Sequence, residues 1–187
     1  LRVENNLVLN STLTADLSTR VEFQPPGSGQ QLLTGTGTLI INGSGGSGRS
    51  VLRPVGETTL TIDWGITILA GMTTIGGASG NQTIINRGTI IADRVGSGSG
   101  RTVSIDAEQF TNEGELRAVS PGELEVFGDW TNSGALTTGP GRVINVHGTV
   151  TFESSSEINI DIRGTATSQF GRLAFAEAVA LDGTLNS

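Results

Sequence analysis

Phe110-Thr111-Asn112-Glu113-Gly114-Glu115-Leu116 aligns without a gap on Trp130-Thr131-Asn132-Ser133-Gly134-Ala135-Leu136, twenty residues further on. Looser copies lie outward from this pair. Ile84-Ile85-Asn86-Arg87-Gly88-Thr89-Ile90 keeps Asn, Gly and the closing apolar residue, and Leu33-Thr34-Gly35-Thr36-Gly37-Thr38-Leu39 replaces Asn with Gly. Asp63-Trp64-Gly65 fits the same slot with its apolar residue one position late, and Val179 to Leu185 keeps only Gly183 and the apolar ends. The glycines at 37, 65, 88, 114, 134 and 183 step by 28, 23, 26, 20 and 49 residues, the last being about two repeats. A step that varies at the corners while the strands recur is the mark of stacked coils. The fold predicted is all-β: a parallel β-helix of roughly seven to nine coils.

Composition agrees. Among 187 residues there are 28 Gly, six Phe, two Trp and no Tyr, so the core is expected to be a thin aliphatic stack. Residues 32–187 read as one continuous repeat array, whereas residues 1–31 carry apolar runs but no clear motif. They read as an atypical first coil or the start of a fragment. The opening at Leu1, without Met or a signal-peptide pattern, points to a processed or excised piece. Residues 157–163 alternate, which predicts a half-buried strand with Ile158, Ile160 and Ile162 inward and Asn159 and Asp161 outward. Leu173 to Leu181 is Ala-rich, yet its alternation around Glu177 reads as two strands meeting at a turn.

The Asn-x-Gly element has a physical logic. Asn tolerates left-handed backbone and bonds its own main chain, and Gly turns without a Cβ clash. Stacked at one corner, Asn86, Asn112 and Asn132, with Gly88, Gly114 and Gly134, would form a turn ladder about 4.8 Å per step. The plainer alternative makes each Asn an independent turn residue.

Signals of chemistry are sparse. All eleven basic residues are Arg and the net charge is −7, which argues against nucleic acid as a partner. No apolar run is long enough to insert in a membrane, and zero Cys with one His leaves no metal or cofactor site to assign. Gly43 to Ser50 nearly spells a phosphate loop, but Val51-Leu52-Arg53-Pro54 follows where a helix is needed. Arg49, Arg101, Arg142 and Arg172 each follow a Gly. If those corners stack, they make a cationic stripe for sulfated or carboxylated glycans; otherwise each caps loop carbonyls. Glu123 and Glu125 flank Leu124 about 7 Å apart on one face, a separation compatible with glycoside hydrolysis, but the aromatic platforms and third polar partner of a carbohydrate cleft are missing, which favours a solvated strand face. Thr34-x-Thr36-x-Thr38 could begin an ice-binding array, but other coils do not repeat it in phase. No catalytic residue is assigned.

From Thr59 to Leu136 the chain resembles the repeat region of large secreted bacterial β-helix proteins of the autotransporter-passenger and filamentous-haemagglutinin type. The resemblance is carried by Leu60-Thr61-Ile62-Asp63-Trp64-Gly65-Ile66-Thr67-Ile68, Ile75-Gly76-Gly77, Ile85 to Ile90, and the two copies at 110–116 and 129–134. Phe170 to Asn186 is similar to the coil that often closes such arrays. The resemblance implies a right-handed parallel β-helix that serves as an extracellular or cell-surface stalk, adhesin or fibre subunit and works without turnover. Its expected partners are further copies or neighbouring domains of the same polypeptide, with host or matrix glycans as candidates. A polysaccharide-binding or polysaccharide-cleaving β-helix and an ice-binding solenoid are the alternatives.

Overall fold

In the computed structural model the chain winds as a parallel β-helix of about eight coils, built from three parallel sheets of eight, seven and eight strands. It describes every residue except 17, 28, 44–47, 78–80, 94–101 and 120. The first sheet stacks Arg2–Val3, Arg20–Phe23, Ser50–Pro54, Thr73–Gly76, Thr102–Asp106, Glu123–Phe127, Val143–His147 and Arg172–Phe175. The second runs from Leu7–Val8 through Gly29–Thr34, Thr58–Ile62, Thr83–Asn86, Gln109–Asn112 and Trp130–Asn132 to Val150–Phe152. The third runs from Thr12–Asp16 through Thr38–Asn42, Thr67–Gly71, Thr89–Ala92, Glu115–Ala118, Ala135–Thr138 and Glu157–Ile160 to Thr184–Asn186. Each strand bonds the strand one full coil away, so like residues stack on like.

The core is therefore a set of columns. In the third sheet Leu13, Leu39, Ile68, Ile90, Leu116, Leu136 and Ile158 face one another in register. In the first sheet Val21, Leu52, Ile75, Ile105, Val126 and Val146 do the same. The second sheet contributes Leu60, Ile84, Phe110, Trp130 and Val150, with Phe110 and Trp130 tilted at 5.6 Å between ring centres. A coil of 20 to 29 residues, many of them in corners, encloses too little volume for more aromatics, which is why branched aliphatics dominate.

Leu116→Ala is expected to cost about 2–5 kcal/mol, because the column above and below holds its neighbours in place and the cavity cannot collapse. Arg117→Ala, one residue on and exposed, is expected to stay within about 0.5 kcal/mol of wild type. Equal shifts of the urea midpoint for the two variants would show that the inward and outward faces are misassigned.

Two expectations need correction. The strand at 157–163 stops at Ile160: Ile158 is buried, Ile160 half-buried, and Ile162 is 58% exposed in an antiparallel bridge to Phe170. Main-chain bonds from Arg163 to Gln169 and from Gly171 to Asp161 close a side loop there, which pulls Ile162 out of the wall. Leu173 to Leu181 forms one strand, Arg172–Phe175, rather than two; Leu181 lies in irregular chain and is 57% exposed. At the other end, the first coil is Arg2–Val3, Leu7–Val8 and Thr12–Asp16, and strand Gly29–Thr34 passes straight through residue 31 in register with Thr58–Ile62.

Candidate functional site

The Asn-x-Gly copies sit where the second sheet turns into the third. Asn86, Asn112 and Asn132 are the last residues of their strands, fully buried, with amides stacked inside the coil. Asn86 donates through Nδ2 to Asn112 Oδ1 at 2.8 Å, and Asn112 donates to Asn132 Oδ1 at 2.7 Å. Each also donates to the carbonyl two residues on: Gly88, Gly114 and Gly134. The backbone reason given from sequence needs revising. None of these Asn or Gly residues adopts a positive φ. The glycines are required for space, since a Cβ on Gly88, Gly114 or Gly134 would collide with main chain of the preceding coil.

Corner length changes along the helix. Asn86 pairs with Ile62 and Thr89 with Thr67, so residues 63–66 face only 87–88: four against two. The corners 113–114 and 133–134 keep two residues, and 153–156 returns to four. Asp63-Trp64-Gly65 thus does not occupy the motif's slot; Ile62 does, and Trp64 rides outward on a turn closed by Ile66 N to Asp63 O at 3.0 Å. Three recessed corners lie between two protruding ones.

A polar cluster lies on the outer face of the first sheet. Arg49 donates to Thr74 Oγ1, Thr73 O, Thr102 O and Ser104 Oγ, spanning three coils. Burial lowers its pKa and the nearby Glu125 carboxylate opposes that shift. Glu123 and Glu125 do flank the inward Leu124; Glu125 lies 3.4 Å from Ser104 Oγ and 3.9 Å from His147 Nε2. His147 stacks on Phe127 with ring centres 4.6 Å apart. The carboxylate stands between hydroxyl and imidazole, so His147 is not placed to take a proton from Ser104 in the manner of a serine nucleophile. Among the described residues no group of three His, Asp or Glu converges to hold a metal ion.

Comparison with protein-family models finds no match, and comparisons with curated proteins and with solved structures find no significant one. The site's own chemistry carries the argument.

The arginines at the Gly-Arg corners do not project as a stripe among the described residues. Arg49 is committed to Thr74, Ser104 and two carbonyls along the outer wall, Arg142 donates to Pro121 O at 3.1 Å, Arg172 is exposed, and Arg101 lies outside the described residues. Residues 44–47 of the loop resembling a phosphate site also lie outside them, and strand Ser50–Pro54 occupies the place where a helix would begin. Thr34, Thr36 and Thr38 straddle a corner and so form no flat row, although Thr12, Thr38, Thr67 and Thr89 stack as one outer column. Sequence reading missed that column and the change in corner length, because both depend on register between coils. Insertions such as 63–66 against 87–88 would have been the signal.

Proposed function

We propose that this chain is a structural segment of a secreted or cell-surface bacterial protein, a rigid stalk, adhesin or fibre element that associates end to end. The observation that carries the reading is the uninterrupted register of inward columns, sealed by a buried amide chain. A solenoid resists bending because each coil bonds the next along all three walls. At the ends, strands Leu7–Val8 and Thr184–Asn186 each have a single neighbour, and Val8 and Leu185 are both 64% exposed. Strand edges beside exposed aliphatics pair readily with a further parallel coil, supplied by another copy or by a neighbouring domain of the same polypeptide. The resemblance to secreted bacterial β-helix repeats supports the same reading.

Light scattering and electron microscopy of the purified chain test it. Oligomers that lengthen along the helix axis with concentration are expected, and Val8→Lys with Leu185→Lys should abolish them, since edge lysines block strand addition. A wild-type protein that stays monomeric at high concentration would sink the end-to-end reading. Glycan cleavage lost on Glu125→Gln would replace it with the enzymatic one.

A further inference from the structure

We propose that the recessed corners of the middle coils form a binding notch for a neutral oligosaccharide chain, with Trp64 as its stacking platform. The notch has a volume of about 390 Å³ and is lined by Trp64, Arg87, Glu113, Glu115, Ser133 and Glu157, over a floor of Gly88, Gly114 and Gly134. Its shape comes from the corner lengths: the four-residue turns at 63–66 and 153–156 stand out, and the three two-residue turns between them sink back. At about 4.8 Å per coil the two rims stand about 19 Å apart, which suits a short polymer rather than a single small molecule.

Trp64 is the feature that the fold does not explain. It is 64% exposed and, unlike Leu1, Val8, Leu181 and Leu185, it belongs to an inner coil. At the tighter corners below it the outward residues are Arg87, Glu113 and Ser133, all polar, so packing makes no demand for an aromatic. Its main-chain N donates to Asp63 Oδ1 at 3.0 Å, which helps hold the turn that carries the indole at the notch rim. An exposed indole carried on a hydrogen-bonded turn beside a concave polar wall is suited to stack on the apolar face of a pyranose ring.

Charge and backbone accounting select the ligand class. Arg87 is committed to Glu113 at 2.8 Å, while Glu115 and Glu157 have no ion partner among the described residues. The wall is therefore net negative: it accepts hydrogen bonds from hydroxyls and repels uronates and sulfates. An extended peptide would need main-chain partners, but the floor has spent its own. Glu115 N bonds Gly88 O, Ala135 N bonds Gly114 O, and Glu157 N bonds Gly134 O. A hydroxyl-rich neutral chain needs only side-chain acceptors and the indole face.

The test is calorimetric titration with neutral hexasaccharides of the β-1,4-linked gluco, manno, xylo and N-acetylglucosamine series, followed also by tryptophan emission. A polyuronate hexasaccharide and a lysine-rich peptide serve as comparison ligands. Saturable binding of at least one neutral hexasaccharide is expected, with a blue shift as Trp64 leaves water. Trp64→Ala should weaken it by about tenfold or more, and Ser133→Arg, which places a long side chain in the notch one coil from its 153–156 rim, should abolish it. Both variants should melt with wild type, and Glu123→Gln on the first sheet should bind normally. The proposal is overturned by no saturable neutral binding, by tighter binding of the polyuronate or the peptide, or by either notch variant keeping full affinity at an unchanged melting temperature.

Discussion

Gly114→Ala, the addition of one methyl group, is expected to destabilise the protein by more than about 4 kcal/mol, beyond what most single substitutions cost. The added Cβ would run into Gly88 O and the Arg87 carbonyl, both main-chain atoms of the coil before. Those atoms cannot step aside independently. Gly88 O accepts the Glu115 amide at 2.9 Å and Asn86 O accepts the amides of Glu113 and Gly114, so moving the upper corner breaks the bonds that hold the lower one. Gly88 and Gly134 meet the same obstruction, and the damage would spread along the corner. Gly29→Ala is the control: nothing lies within 4 Å of its added Cβ, and it should be neutral or slightly stabilising. Chemical unfolding of the two variants beside wild type decides the matter. A Gly114→Ala protein within about 1 kcal/mol of wild type would mean that the corners are looser than this packing implies.

How much of this was legible beforehand depends on whether a feature is local or arises between coils. The period of the copies and the alternation within each strand are local, and they lead to a parallel β-helix and to Ile90, Leu116 and Leu136 as one inward column. The stacking of Asn86, Asn112 and Asn132 follows from three copies with equal corner length, and equal length is visible in the gapless alignment. The role of Gly114 was not legible, because a turn glycine chosen for φ and one chosen for closeness of two backbones have the same letter. Trp64 was misplaced for a related reason: the motif match counted Asp63 as the Asn equivalent, whereas pairing places Ile62 there and lengthens the corner. Ile162 shows the limit of periodicity. Alternation says which side a strand residue faces, not where the strand ends, and here the end is set by the loop that returns through Phe170.

Asn112→Asp should be nearly as damaging as the corner methyl at neutral pH and should recover in acid. Asn112 is the middle of the amide chain: it accepts from Asn86 at 2.8 Å and donates to Asn132 Oδ1 at 2.7 Å, with Gly114 O 3.3 Å and Ala135 O 3.4 Å away. Asp in its place keeps the acceptor but turns the donor into a second oxygen facing three acceptors. Buried and ionised there, it is expected to cost about 3–5 kcal/mol. Desolvation and the facing oxygens raise the folded-state pKa of that carboxyl above its unfolded value of about 3.9. The folded state then holds the proton at a pH where the unfolded state has lost it, so stability relative to wild type rises as pH falls through the raised value, and the charge penalty is gone below about 3.9. Once protonated, the carboxyl can donate to Asn132 as the amide did. Asn112→Leu separates charge from the loss of the ladder: an apolar residue is tolerated in this column, as Ile62 opposite Asn86 shows, so a pH-independent cost of about 1–3 kcal/mol is expected for the unpaired Asn132 acceptor. Urea unfolding of wild type and both variants at pH 7 and pH 4 reads the difference directly. If the Asp and Leu variants lose the same stability at both values, residue 112 is in contact with water and the buried amide chain does not seal the coil.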